Sequence, residues 1–432
     1  MIRTESEYLS WDFDREDTLK YTNCFHKYPA MIVPQIVNRL LAEYSVPNGI
    51  FLDPFCGTGR SLVSASLYQM QCLGLDINPL AVLISNVKLS VLDPFKLNNY
   101  LAMVNDVYLN TKVKCSSLPD FFNRSYWFSQ ETSLQIYRMM RAIRKVFPRN
   151  CNYKDFFYVV LSETIRDVSW TRNSEFKLYR IPSQSLPSYN KNTLSLFIQK
   201  AKRNIKGMES FIEALYNRTP DFKIFMSDCK CLLKNEALAT LMRNRKIDLI
   251  ITSPPYGDSR TTVDYGNFSR LSLQWLRTDS HFSKRWSFFD EVSIRSINNH
   301  CLGGLVQTNE SVLPSDNLQR VINEIVALDS ARARYVKQFF RDLHSCIYVL
   351  TRCLGDEGHM CFVIANRTVK GVEIPMDAII EDFAAEYGFG VIRKIERNIY
   401  GKKLPRKINT NSSNVKTAPT MLREFVIVAK KA

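Results

Sequence analysis

Ile50-Phe51-Leu52-Asp53-Pro54-Phe55-Cys56-Gly57-Thr58-Gly59-Arg60 is the stretch that decides the fold. Three apolar residues follow a Pro47-Asn48-Gly49 turn and read as a short buried strand reaching Asp53. A glycine-containing turn comes next, then the helical pattern SLVSASLYQM. Cys72-Leu73-Gly74-Leu75 reads as a second strand ending at Asp76, and Asn78-Pro79 opens a second helix, PLAVLISNVKLSVL. Upstream, PQIVNRLLAEYSV carries apolar residues at helical spacing behind Pro34. Strand, turn, helix, strand, helix over 50–92 implies a parallel, doubly wound α/β sheet.

Working outward, the pattern changes between 93 and about 219. LQIYRMMRAIRKVF and FFYVVLSETIRDV read as amphipathic helices in a basic, aromatic block that includes Tyr126, Trp127, Phe128 and Trp170. This block reads as an insertion, not a continuation of the sheet. Alternation resumes with a strand at Phe222–Met226 that ends near Asp228, a helix around Asn235–Arg245 and a strand at Asp248–Thr252. A long polar loop is expected from Gly257 to about Ser330. A helix at 331–354, a strand at Gly358–Ala365, a helix at Asp377–Tyr387 and closing strands at Val391–Asn398 and Glu424–Lys430 complete the reading, with a basic loop, GKKLPRKINTNSSNVKTAP, between the last two.

The 432 residues are 45% hydrophobic and 23% charged, which is enough apolar material for a real core and argues against wholesale disorder. No run is long and apolar enough for a membrane-spanning helix, and no membrane association is expected. The first residues lack the apolar core of a secretory signal, so a reducing cytoplasmic location is expected. Eleven cysteines, an odd number with no CxxC pair, fit neither a disulfide framework nor a structural zinc site, and no metal is expected. The net charge of +16 is unevenly spread: 93–219 carries +10 and 389–432 carries +9, leaving a slightly acidic body. Clustered positive charge suits a polyanionic partner, against the plainer alternative of solvated surface.

Two constellations carry chemistry. In the first, glycines at 57 and 59 let the backbone approach a ligand at the start of a helix, and Asp76 stands 23 residues after Asp53, where an acidic side chain can bind a ribose. Asp53 would repel a pyrophosphate but not a cationic, phosphate-free ligand such as S-adenosylmethionine. The second is Thr252-Ser253-Pro254-Pro255-Tyr256-Gly257, delivered by a strand to the carboxyl edge of the sheet. Two prolines fix the backbone and remove donors, so nearby carbonyls are left as acceptors for an exocyclic amino group. Tyr256 can stack on a planar base. A rigid loop with no chemical role is the competing reading of these residues.

DPFCGTG together with TSPPY resembles the amino-methylating DNA methyltransferases, and serine at the first variable position of TSPPY is similar to the cytosine-N4 branch. Asn23–Ala30 (NCFHKYPA), MCFVIANRTVKG and TMLREFVIV are similar to further motifs of that family. The resemblance covers roughly 20–92 and 222–432 and does not cover 93–219. It implies a Rossmann-like doubly wound methyltransferase sheet with an inserted basic, mainly helical target-recognition region. The expected division is 1–92 and 222–432 as two parts of the methyltransferase domain, with 93–221 and 257–330 as candidate DNA-contacting regions.

Carried over residue by residue, the resemblance implies that Phe55, Gly57 and Gly59 line the methionine part of S-adenosylmethionine, with Asp53 near its ammonium. Asp76 would bind the ribose, Asp228 the adenine amino group, and His26 and Tyr28 would close the pocket. Ser253, Pro254, Pro255 and Tyr256 would hold the target base. Arg260, Lys402, Lys403 and Arg406 are candidate contacts to double-stranded DNA. Arg141, Arg144, Lys145, Arg172, Lys200, Lys202 and Arg203 are divided between phosphate contacts and solvated surface.

The expected activity is methylation of N4 of a flipped-out cytosine, in a prokaryotic modification enzyme acting at the same site as a cognate restriction endonuclease. Adenine-N6 methylation is the nearest alternative. A tRNA guanine-N2 methyltransferase is disfavoured by Ser253 and by the few residues before the first cofactor motif, and a non-catalytic DNA-binding protein by the complete set of motifs. Carbon-5 cytosine methylation needs a thiolate beside the base, and TSPPY contains none; Cys56 reads as a packing residue.

Overall fold

A computed structural model describes residues 10–172, 177–186, 188–189, 191–234, 236, 238, 240, 245–258, 263–286, 291–306, 312–399, 407–409, 417–419 and 423–432. The strands, in chain order, are β1 (Ile50–Asp53), β2 (Gln71–Asp76), β3 (Phe222–Met226), β4 (Ile247–Thr252), β5 (Leu354–Ile364), β6 (Arg367–Val369), β7 (Val372–Ile374), β8 (Phe389–Asn398), β9 (Lys407–Asn409), β10 (Thr417–Pro419) and β11 (Arg423–Lys431). Seven of them form one sheet in the order β3-β2-β1-β4-β5-β11-β8. The first five run parallel, and β11 lies antiparallel to both of its neighbours. Strand order reverses between β1 and β4, so the carboxyl ends of these two adjacent strands form the topological switch point where open α/β sheets bind ligands. The Asp53 turn and the Thr252–Tyr256 loop both start there.

All four residues of β1 are buried, because both faces of the sheet are covered. Phe51, Leu249, Ile251, Cys361 and Val426 point into one apolar core; Leu52, Ile250, Met360, Phe362 and Ile427 point into the other. Helices α1 (Pro34–Tyr44), α2 (Arg60–Leu67), α3 (Pro79–Leu89), α4 (Pro94–Asn110), α5 (Gln130–Val146), α6 (Asn152–Val168), α7 (Thr193–Leu215) and α8 (Tyr265–Arg277) contribute to the first core. After the short α9 (Ser280–Arg285) and α10 (Glu291–His300), helices α11 (Asp316–Leu328), α12 (Ser330–Cys353) and α13 (Met376–Glu386) cover the second face.

The basic block therefore enters the chain between β2 and β3, which are parallel neighbours, and its buried side is continuous with the core under the sheet. Helix α6 is its hub: nearly every residue from Lys154 to Val168 is buried. Several of its cations turn inward. Lys200 is buried against Glu163 and Asp167, Arg203 pairs with Glu163, and Arg144 lies 3.4 Å from the buried Asp279. Lys200 is thereby removed from the candidate phosphate contacts; Arg144 and Arg203 are paired but keep about a third of their side chains exposed, and Arg141, Lys145, Arg172 and Lys202 are exposed.

Two expectations about loops are corrected. Residues 257–330 contain α8 to α11, each start of α8, α9 and α11 being capped by a side chain: Asp264 accepts from the Asn267 amide, Asp279 from His281 and Ser315 from Leu318. Within 401–419, β9 and β10 pair as an antiparallel ribbon. The expected helix around Asn235–Arg245 falls largely outside the described residues, as do Arg260, Lys402, Lys403 and Arg406.

Candidate active site and cofactor cleft

The turn after β1 is held by four backbone donors. Phe55 N–H reaches Asp53 Oδ1 at 3.0 Å, Cys56 N–H the Leu75 carbonyl at 2.9 Å, Gly57 N–H Asp76 Oδ2 at 3.0 Å and Gly59 N–H the Cys56 carbonyl at 2.7 Å. The path requires left-handed backbone at Gly57 (φ 51°) and Gly59 (φ 74°), a region where a Cβ is costly. The two glycines serve different ends. A Cβ on Gly59 would stand 3.1 Å from the Ser85 Cβ of α3, so this position allows the helices to pack. A Cβ on Gly57 would meet no atom within 4 Å; this position faces open space.

That space is a cavity. Gly57, Phe55 and Asp76 line it beside Asp228, which follows β3. Ser253 and Pro255, from the loop after β4, line the same cavity, and so does Tyr28. The two loops are tied to each other by Asp53, which also lines the cavity: its buried carboxylate accepts from the Thr252 hydroxyl at 2.6 Å, from the Ser61 hydroxyl and from Phe55 N–H. Burial pushes Asp53 up to about 6 against these three hydrogen bonds. With both oxygens engaged inside the protein, Asp53 joins the loops more plainly than it offers itself to a ligand ammonium.

Burial likewise raises Asp76 to about 6, against the Asn78 and Gly57 amides that stabilise its charge. Asp228 Oδ1 accepts from the Lys230 amide at 2.9 Å, and the Lys230 ammonium lies 3.5 Å from Oδ2. Tyr28 is buried; its hydroxyl accepts from Asn78 Nδ2 at 2.9 Å and its ring stacks on Tyr265 with centroids 6.0 Å apart. His26 does not reach the cavity wall. It is buried behind it, with Nδ1 2.6 Å from the Lys27 carbonyl, and burial lowers it to about 4, so it is neutral at pH 7.

In the loop after β4, Pro254 is buried and Ser253 and Tyr256 are half-buried; Ser253 and Pro255 line the cavity, whereas Pro254 and Tyr256 do not, the Tyr256 ring packing against the second core. Ser253 Oγ lies 3.2 Å from Tyr256 Oη, which lies 3.2 Å from Glu424 Oε1 on β11. Burial first, then the Glu424 charge, pushes the Tyr256 phenol well above its usual range, so it keeps its proton. Beyond the loop, the buried Asp258 pairs with Arg332 at 2.6 Å and with Arg367 at 3.5 Å. Arg367 lies against Gly257 so closely that any Cβ there would overlap its guanidinium.

No family model matches the chain. Over 450 aligned residues it is 33% identical to type II methyltransferase M.MvaI of Kocuria varians, covering 99% of this chain and 95% of that protein. The chain belongs to the type II methyltransferases. Type II methyltransferase M.BsoBI of Geobacillus stearothermophilus is 22% identical, with 94% and 84% covered, and M.MjaII of Methanocaldococcus jannaschii is 22% identical, with 57% and 62% covered. Among solved structures, the rRNA methyltransferase aviRa of Streptomyces viridochromogenes aligns over 99% of this chain and 94% of its own at 11% identity and a TM-score of 0.35; the fold assignment rests on the strand order and packing above.

The sequence motifs of this methyltransferase leave part of the cavity unaccounted for. Tyr265, Ile297, His300, Cys301 and Leu302 line it from α8, α10 and the turn after α10. They belong to the segment read as a polar loop. For Tyr265 a signal was present, Asp264 followed by Phe268, Leu271 and Trp275, a capping residue ahead of apolar residues at helical spacing.

Proposed function

We propose that this type II methyltransferase acts on double-stranded DNA, transferring a methyl group from S-adenosylmethionine to N4 of a flipped-out cytosine, as the modification half of a restriction system. The observation that carries the reading is the single cavity lined by Gly57, Asp76 and Asp228 on one side and by Ser253 and Pro255 on the other. Its residues fit the cofactor: open space above Gly57, two carboxylates for hydroxyl and amino groups, and an aromatic residue at 28. Asp76 would hold the ribose, Asp228 the adenine amino group, and Phe55 and Gly57 the methionine portion. When bound, S-adenosylmethionine supplies an electrophilic methyl group.

The exocyclic amine of cytosine is a poor nucleophile because its lone pair is delocalised into the ring. The Ser253 hydroxyl oxygen and the Pro254 carbonyl accept its two hydrogens, which favours the pyramidal nitrogen that can attack. The enzyme's work is then positioning. The target atom cannot be reached within a duplex, so the base is extruded at a cost of a few kcal/mol, and stacking on Tyr256 offsets about 1–3 kcal/mol of this.

The test is to incubate the protein with duplex DNA and labelled S-adenosylmethionine and to digest the product to nucleosides. N4-methylcytosine is the expected product, N6-methyladenine would select the adenine branch, and no transfer to DNA would overturn the reading. Protection of the methylated plasmid from one restriction endonuclease would identify the partner activity.

A further inference from the structure

We propose that Glu424 is a positioning residue that fixes the hydrogen-bond polarity of Ser253, through Tyr256. The inference rests on the methyl-transfer reading above and extends it to a residue 168 positions along the chain from Tyr256. Glu424 sits on β11, and its burial is offset by Arg397, whose Nη1 pairs with Oε2. Arg397 is itself anchored: Nε donates to the Trp11 carbonyl and Nη2 to the Asp12 carbonyl, both at 2.8 Å. Oε1 lies 3.2 Å from Tyr256 Oη.

A carboxylate paired with arginine has no hydrogen to give, so Tyr256 is the donor in that bond. Tyr256 has one hydrogen. Having given it to Glu424, it can only accept from Ser253, whose hydroxyl lies 3.2 Å away. The Ser253 hydrogen is thereby turned away from the cavity and its lone pairs are turned toward it. An oxygen held in this state accepts from an amino group and cannot donate to a carbonyl. The same loop would therefore favour a base edge that presents NH₂ over one that presents C=O, which is the difference between cytosine and uracil at position 4.

Replacing Glu424 with Gln tests this. Arg397 claims the amide oxygen, so the amide NH₂ faces Tyr256 and donates to it. Tyr256 then donates to Ser253, and the Ser253 hydrogen points into the cavity. We expect kcat for DNA methylation to fall ten- to a hundredfold in E424Q while KM for S-adenosylmethionine and affinity for S-adenosylhomocysteine change less than threefold. Y256F keeps the ring but cuts the relay, so adding E424Q to Y256F should lower kcat by less than twofold further.

A kcat for E424Q equal to wild type would overturn the proposal, as would a full additional loss in the double variant, which would indicate a purely structural role for Glu424. If E424Q unfolds, Y256F alone decides: its kcat must fall with cofactor affinity retained. Failure of the wild-type protein to methylate any DNA would instead count against the methyl-transfer reading, and is read out in the same assay.

Discussion

At the residue scale, the cleft separates conformational demands from chemical ones. Gly57 and Gly59 share a left-handed backbone, but only Gly59 is crowded. Gly59→Ala should therefore cost the roughly 1–2 kcal/mol of a left-handed residue plus the clash with Ser85, seen as lowered thermal stability. Gly57→Ala should carry the backbone cost alone, yet lose affinity for S-adenosylhomocysteine at least tenfold because its methyl projects into the cavity. Unchanged affinity would place the cofactor elsewhere. Asp76 brings a pH dependence. Burial raises it to about 6, and on the proposed reading its ionised form would accept two ribose hydroxyls. Affinity for S-adenosylhomocysteine should thus be full above that value and fall by up to about tenfold per pH unit below it. Titration calorimetry between pH 5 and 8 checks this, with Asp76→Asn expected to bind weakly and with a flat profile.

At the scale of elements, the buried charges on α6 and α7 do what apolar packing does elsewhere. Glu163 accepts from the Lys27 amide at 3.1 Å and pairs with Lys200 and Arg203, so α6, α7 and the segment carrying Tyr28 meet on one carboxylate. Burial alone would raise Glu163, but His26, charged in the acid range where Glu163 titrates, together with Lys200 and Arg203 brings it down to about 2. A depressed carboxylate stabilises the fold above its unfolded value of about 4.3 and loses that contribution as pH falls toward 2. Glu163→Gln should therefore cost roughly 3–5 kcal/mol at pH 7, measured by urea unfolding, with the difference from wild type shrinking below pH 4. The sheet core was legible because β1, β2, β4 and β5 are short apolar runs ending in turn residues, because α2 and α3 are continuous, largely apolar or small-residue stretches buried nearly all round, and because α12 and α13 have apolar periodicity. Helices α4 and α7 were not read as helices, and α8 to α11 were read as loop. In α8, serines at 269 and 272 are buried among Phe268, Leu271 and Trp275, so polar letters occupy inward positions and blur the period. Ser272 donates to the Ser162 carbonyl on α6, a partner no local pattern reveals. The cavity wall from Asp53 to Asp76 was legible as local structure for the opposite reason: it is one continuous strand–turn–helix–strand unit. Glu424 was hidden because it reaches Tyr256 only through sheet pairing.

For the whole molecule, charge and topology point to separate roles. In the helical block Lys200, Arg203 and Arg144 are paired with Glu163, Asp167 and Asp279, whereas Lys402, Lys403 and Arg406 belong to the second basic segment. Changing these three to Ala should reduce the slope of log DNA affinity against log salt by about 2 to 3; an unchanged slope removes them from the footprint. The strand order has a consequence for how the protein comes into being. β11 leaves the ribosome after β5 and β8, yet it inserts between them. Until it arrives, β5 has an open edge and Tyr256 lacks its acceptor. A nonsense or frameshift lesion upstream of 423 would thus yield an inert product instead of a slower one, and a host relying on such a protein to mark its own genome would have no partial protection from incomplete chains.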